Sequence, residues 1–313
     1  MDTRKARTVA KDLSAQSDHG LTANTSKNGQ YHPTGGAVSP VHGTIAPPIV
    51  VVGATGTIGR AIVRALVKHG NPVVAVAPQA DKLGRLTQDV APDTITPVVG
   101  RIDTEADAAR LAERLRDLAR PIAGAVIAFP HGRSAEPGLD RGRLLDQSTA
   151  ELAECLQQTL LAQHALARHL IPLLADAGRN ARYVIVGGPG SESPWAGYGH
   201  RSIATAATRM LARVLHDEVH ASGVRVQLVS IDSPVRNERP GEHECPEWPT
   251  ASDVARSVVH LLDSRAGEAT TDAVVSGTRT DGSCSIGRSL RAFPSVPSFL
   301  ASLRNSTNKI SPQ

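Results

Sequence analysis

The sequence predicts an α/β fold: a single domain over residues 48–280, built as a doubly wound, mostly parallel sheet with helices on both faces. Three observations predict it. Unalternated runs of Val, Ile and Ala, such as IVVV at 49–52, mark strands that are covered on both sides. Helix-length amphipathic segments alternate with those runs along the chain. The first strand also runs directly into a glycine turn, GATGTIG at 53–59, that opens a helix.

Each element follows in order. IVVVGA is the first strand, and IGRAIVRALVKHG the first helix, with Arg60, Arg64 and Lys68 on one face and Ile58, Ile62, Ala65 and Leu66 on the other. PVVAVAP is the second strand, followed by a short helix near 81–86. TITPVVG is the third strand, TEADAARLAERLRDLAR a helix of alternating charge, and AGAVIAF the fourth strand. A long helical pattern runs over 148–177 and RYVIVGG is the fifth strand. The helix in HRSIATAATRMLARVLHDEVHASG follows, with Ile203, Ala207, Met210, Leu211 and Val214 read as its core positions. VRVQLVSI is the sixth strand; a loop rich in Pro and Glu (234–249) leads to the helix in SDVARSVVHLLDSRAG and the last strand, DAVVSG. Residues 1–47 are polar and aperiodic, which predicts a disordered N-terminal extension, and 281–313 read as a polar C-terminal tail.

Composition narrows the function classes. A hydrophobic content of 40% suffices for a core, and with aromatics at 3% that core must be aliphatic. The net charge of +4 is spread as Arg among Asp and Glu on helix faces, the pattern of solvated helices rather than of a nucleic-acid groove. No apolar run of about 18 residues offers a membrane span. Cys155, Cys245 and Cys284 are too few and too scattered for a disulfide framework, and the N-terminus shows no apolar signal core. The expectation is a cytoplasmic protein that binds a small-molecule substrate, with no nucleic-acid or membrane partner.

The glycine turn is the strongest local signal. Gly53 supplies the tight turn, Gly56 lets a ligand approach bare backbone, and Gly59 lets the helix press closely on the strand. The amides at the helix start, with its positive dipole end, favour a pyrophosphate. The predicted dinucleotide contacts are Gly53, Thr55, Gly56, Thr57, Ile58 and Gly59. The second strand ends APQADK, with Pro78 and Gln79 where an acid would hold the ribose of NAD. Arg60 and Lys82 are placed to meet a 2′-phosphate, which tilts the cofactor from NAD slightly toward NADP.

With VVGATGTIGR, GRIDTEAD, AGAVIAF, LIPLLADAG, RYVIVGG and GVRVQLVSI in that order, the chain resembles the short-chain dehydrogenase/reductase family over about residues 49–279. The resemblance implies a Rossmann fold, a nicotinamide dinucleotide cofactor, an adenine contact from Asp103 and pairing of the two long helices in a homo-oligomer. It also implies a Ser–Tyr–Lys set with an Asn relay. In this sequence Gly188 stands at the Ser position, Arg201 at the Tyr position, Thr205 at the Lys position and Thr159 at the Asn position. No lysine occurs between Lys82 and Lys309, so no register restores a Tyr–Lys pair.

A replacement set is available nearby. Tyr198 or His200 is the candidate proton donor, and Arg201 the cation that favours a phenolate or holds a substrate anion. Ser191 and Ser193 share the preceding loop, and His131 lies in the turn after the fourth strand. Two leading functions stay open: an NAD(P)-dependent oxidoreductase on a small carbonyl or alcohol with non-standard residues, or a catalytically silent dinucleotide-binding protein such as a redox sensor, partner subunit or scaffold; a lyase or isomerase that uses the bound cofactor without net redox is a remote third. His216 and His220 are spaced i, i+4, but Asp217 stands where a zinc protease needs Glu, so no metal site is expected.

Overall fold

The structure is a computed structural model that describes residues 46–118, 120–129, 142–178, 180–195, 197–236, 248–263 and 272–277. The proposed N-terminal extension, the C-terminal tail beyond 277, His131, most of the 234–249 loop, Cys245 and Cys284 lie outside the described residues.

Among the described residues seven strands form one parallel sheet: β1 (Ile49–Val52), β2 (Val73–Ala77), β3 (Ile95–Val99), β4 (Gly124–Ile127), β5 (Ala181–Val186), β6 (Val224–Ser230) and β7 (Val274–Ser276). Their order is β3-β2-β1-β4-β5-β6-β7, with every neighbouring pair parallel. The winding direction reverses between β1 and β4, the place where such sheets open a ligand crevice beyond the strands' carboxyl ends. β1, β2, β4 and β5 are buried along their whole length, as the unalternated apolar runs in them require, and the burial extends to Arg182 and Tyr183 of β5. The edge strand β3 is only partly buried, and there Pro97 is tolerated because an edge strand can spare an N–H.

Among the described residues seven α-helices cover the two faces: α1 (Thr57–Lys68), α2 (Ala80–Val90), α3 (Glu105–Asp117), α4 (Thr149–Leu156), α5 (Ala162–Asp176), α6 (Gly199–Val219) and α7 (Ala251–Asp263). One core, around Ile62, Leu66, Val184 and Val258, joins α1, α2 and α7 to the sheet. The other, around Leu111, Leu166, Leu170 and Tyr183, joins α3, α5 and α6 to its opposite face. The long pattern at 148–177 is one rod in which a five-residue π-helical turn, Gln157–Leu161, links α4 to α5. No helix among the described residues is long and apolar enough to cross a membrane.

α6 corrects one expectation. Its buried residues are the small ones, Ala204, Thr205, Thr208 and Ala212, whereas Ile203, Met210 and Val214 are 38%, 55% and 43% exposed. Small side chains let this helix lie close to its neighbours, so its larger apolar residues, at i, i+7 and i+11, share the outward face.

α3 starts with a reciprocal cap that stiffens the loop after β3. Thr104 Oγ1 accepts from the Asp107 amide at 3.2 Å, and Asp107 Oδ2 accepts from the Thr104 amide at 2.9 Å. Burial disfavours the Asp107 carboxylate, but hydrogen bonds from Thr104 and the Asp103 and Thr104 amides, with Arg110 nearby, outweigh it and lower its pKa. A carboxylate depressed on folding contributes stability above its unfolded pKa, and that contribution is lost as pH falls through the folded value. Thr104→Ala is expected to cost about 1 kcal/mol in urea denaturation at neutral pH. It should also flatten the loss of stability on acidification below about pH 4; an unchanged acid limb would show that the cap contributes nothing to it.

Candidate functional site

The glycine turn stands at the reversal between β1 and β4. Gly53 adopts φ +85°, and a Cβ there would sit 2.3 Å from the Ala128 carbonyl oxygen just beyond β4. A Cβ on Gly59 would sit 2.1 Å from the Gly53 oxygen, so this glycine lets α1 press on the turn itself, and on Ala54, rather than on the strand. Gly56 differs: its Cβ would meet only the Gly53 oxygen, at 3.4 Å. Two glycines are therefore demanded by the fold, and the third leaves backbone open to the crevice.

The first helical bond of α1 runs from the Arg60 amide to the Gly56 oxygen at 2.9 Å, leaving the amides of Thr57, Ile58 and Gly59 ahead of it. No side chain caps this end and no acid lies in its first turn. That is a cradle suited to an anionic diphosphate. Thr55, on the same turn, donates from Oγ1 to Gln79 Oε1 at 3.4 Å, tying the turn to the start of α2.

Beside the turn lies a recess of about 250 Å³ lined by Thr55, Arg60, Arg64, Lys82, Arg85, Leu86 and Asp89. Four cations and one carboxylate line it, and Arg85 also pairs with Asp81 at 3.9 Å. Arg60 and Lys82 stood out in the sequence; Arg64 and Arg85 did not, although each follows one of them at helical spacing, i+4 and i+3.

Asp103 sits on the loop after β3, its carboxylate paired with Arg101. Its amide donates to Asp107 Oδ2 at 3.1 Å, and its carbonyl accepts from Gln157 Nε2, in the π turn, at 3.0 Å. The predicted adenine-side residue is thereby fixed from three directions.

At the far side, the loop after β5 meets the start of α6. Tyr198 is the N-cap residue of α6, and its ring packs on Trp195 with centroids 4.3 Å apart. The Arg201 guanidinium lies over the same ring, 5.4 Å from its centroid, a cation–π arrangement that draws the two candidates together. Ser191 Oγ on that loop is buried and has no hydrogen-bond partner among the described residues, whereas Ser193 is exposed.

His200 is on the first turn of α6, close enough to Glu151 to help lower that residue's pKa; the Ser148 amide and hydroxyl, bonded to the carboxylate, lower it more. Thr205, at the lysine position, is 2% exposed, its hydroxyl 2.8 Å from the Arg201 oxygen, 3.2 Å from that of Ser202 and 3.3 Å from that of Pro189. Thr159, at the Asn position, is equally buried and donates to the Cys155 oxygen at 2.6 Å. Both hydroxyls are turned to backbone. His216 Nδ1 lies 2.7 Å from the Val226 oxygen, while His220 falls beyond α6 in a 3₁₀ turn. Among the described residues no three His, Cys, Asp or Glu side chains gather as a metal site would need.

The parallel sheet with a glycine fingerprint at its reversal point defines a doubly wound protein of the dinucleotide-fold class. The model of the short chain dehydrogenase family matches residues 48–234, more than half of the chain, and the chain belongs to that family.

Solved structures of similar fold include a short chain dehydrogenase from Salmonella enterica serovar Typhi, with TM-score 0.64 at 19% identity, covering 75% of this chain and 97% of that one. L-Sorbose reductase from Gluconobacter frateurii, complexed with NADPH and L-sorbose, gives TM-score 0.63 at 17% identity, covering 74% of this chain and 96% of that one. An NADPH-bound short chain oxidoreductase from Pseudomonas aeruginosa PAO1, described as containing an atypical catalytic center, gives TM-score 0.61 at 19% identity, covering 74% and 95%. No curated protein matches the sequence.

Proposed function

We propose that the protein is an NADP(H)-dependent oxidoreductase acting on a small carbonyl or alcohol through residues other than a Ser–Tyr–Lys set. The observation that carries this is the recess beside the glycine turn, which Arg60, Arg64, Lys82 and Arg85 line together with Asp89, Arg85 also pairing with Asp81 at 3.9 Å. A 2′-phosphate is what distinguishes NADP from NAD, and a ring of cations with no acid on the ribose favours the phosphorylated form. The NADPH-bound relatives of the same fold agree with that cofactor class.

The residues present fit such a group. The amides of Thr57, Ile58 and Gly59 would hold the diphosphate over the bare Gly56 backbone, and Arg60 and Lys82 the ribose phosphate. Bound nicotinamide would supply hydride chemistry. On the protein side, Tyr198 Oη gives or takes the proton at the substrate oxygen, and Arg201, always charged, orients a substrate anion beside it.

A second reading, a dinucleotide-binding protein without turnover, is favoured by Thr205, whose buried hydroxyl replaces an amine and is turned to backbone carbonyls. Fluorescence titration with NADPH and NADH, followed by a carbonyl panel read by NADPH oxidation, separates the two. For a substrate that turns over, Tyr198→Phe is expected to lower kcat by roughly 10²–10⁴-fold. Arg201→Ala should mainly raise KM for an anionic substrate. Turnover that survives Tyr198→Phe would remove the tyrosine as the acid; tight binding without turnover on any panel member would favour the silent protein.

A further inference from the structure

We infer that Arg209, a nearly buried arginine on α6, is a positioning residue whose guanidinium clamps together the two loops that leave the carboxyl ends of β5 and β6. The inference rests on the oxidoreductase reading for its functional meaning.

The Arg209 side chain is 13% exposed, and it makes two different contacts with two different nitrogens. Nη2 pairs with the Glu192 carboxylate, which belongs to the loop after β5. Nη1 donates to Ser230 Oγ at 3.2 Å, and Ser230, the last residue of β6, donates in turn to Asp232 Oδ1 at 2.9 Å. A chain of carboxylate, guanidinium, hydroxyl and carboxylate thus runs from one loop to the next, across the body of a helix.

Both loops lie where the fold puts its ligand, beyond the carboxyl ends of parallel strands. The first carries Ser191, whose buried hydroxyl has no partner among the described residues, and the stacked Trp195–Tyr198 pair. Two shorter ties stitch it to α6 near the helix start: Trp195 N to Ser202 Oγ at 2.9 Å, and Thr205 Oγ1 to the Pro189 oxygen at 3.3 Å. Gly190, at φ +94°, lets the loop come close enough that a Cβ would sit 2.6 Å from Ser202 Oγ. Glu192–Arg209 is a further anchor, and it ties the middle of the loop to the end of β6 through side chains, where the Gly187 amide ties the loop's start to the Val229 oxygen at 2.8 Å.

A buried guanidinium is a costly way to fill a helix–sheet contact, which Leu or Met would fill without desolvating a charge. The charge makes sense through what it holds. Lysine would not substitute, because one ammonium cannot repeat a fork that spends separate nitrogens on separate partners. The Glu192 carboxylate is 57% exposed, so the pair adds little to global stability; its effect falls on where the loop rests.

The test is amide hydrogen exchange on the full chain, comparing wild type with Arg209→Met, Arg209→Lys and Glu192→Gln. Arg209→Met is expected to speed exchange at least tenfold in both 188–198 and 231–236, with β1 to β4 unchanged. Glu192→Gln should loosen only the first loop, and Arg209→Lys should fail to restore the second. Adding Glu192→Gln to Arg209→Met should speed the first loop no further.

On any carbonyl that turns over, Arg209→Met should lower kcat/KM at least tenfold while the NADPH Kd stays within twofold, a split that a general loss of folding would not produce. Unchanged exchange in both loops overturns the clamp whatever the activity. If Arg209→Met does not fold, the exposed Glu192→Gln still decides, since its loop must loosen. Failure of the wild type to bind NADPH would instead defeat the cofactor assignment and leave the exchange result standing.

Discussion

Replacing Gly56 with alanine is expected to leave the protein as stable as its parent while weakening NADPH binding at least tenfold. The added Cβ would meet protein only at the Gly53 oxygen, 3.4 Å away, an ordinary contact, and residue 56 already has φ −70°. What the methyl group fills is the space over the turn through which a diphosphate must reach the amides of Thr57, Ile58 and Gly59. The neighbouring glycines should behave in the opposite way. Gly53→Ala forces a left-handed φ and a Cβ 2.3 Å from the Ala128 oxygen, and Gly59→Ala one 2.1 Å from the Gly53 oxygen. Each should cost on the order of 1–3 kcal/mol in stability before any ligand is added. Thermal denaturation and fluorescence titration on the three variants read this directly. Parent-like NADPH affinity in Gly56→Ala would mean that no ligand approaches the turn.

The second large effect is expected from reversing two charges in the neighbouring recess. Arg60→Glu combined with Lys82→Glu should raise the NADPH Kd by roughly 100-fold, equivalent to about 2–3 kcal/mol for reversing two exposed charges that contact a phosphate. The NADH Kd should move by less than about threefold, because NADH presents no phosphate to these groups. In the parent, NADPH affinity should fall with added salt more steeply than NADH affinity, as screening predicts. Equal losses for both dinucleotides would show that the cations shape the turn rather than read a phosphate, and the preference for NADP would go with them.

How much of this could be read before any coordinates depended on whether the signal was local. β1 and β2 are runs of Val and Ala with one Ile, β4 and β5 are mostly such residues with Gly124, Arg182 and Tyr183 among them, and each is buried end to end. The glycine turn is a seven-residue local pattern, and its flanking strand and helix stand where periodicity put them. α6 was harder, because apolarity and burial part company there: alanine and threonine pack inward while Ile203, Met210 and Val214 face out. The π turn escaped notice because it adds a residue to a helical repeat without changing the composition.

The site divides in the same way. The missing lysine is a property of the string alone and no register could hide it. The meeting of Tyr198, Trp195 and Arg201, by contrast, depends on a loop folding back onto a helix start. The recess needs α1 and α2 side by side, and the Arg209 chain joins residues 17 and 21 positions apart. Such groupings are tertiary facts, and spacing along the chain does not announce them.

The strand order also bears on how the molecule comes into being. β1 lies inside the sheet between β2 and β4 and aligns Ile49 with Gly124 of β4, so its second edge finds a partner only after some seventy further residues have left the ribosome. Until then the emerging half-sheet β3-β2-β1 carries an open, aliphatic border with unused amides and carbonyls, the kind of template that recruits strands from other chains. With every ladder closed over a crossover and none by a tight hairpin, assembly must proceed through distant encounters, and the nascent chain's most vulnerable interval lies between the syntheses of α1 and β4.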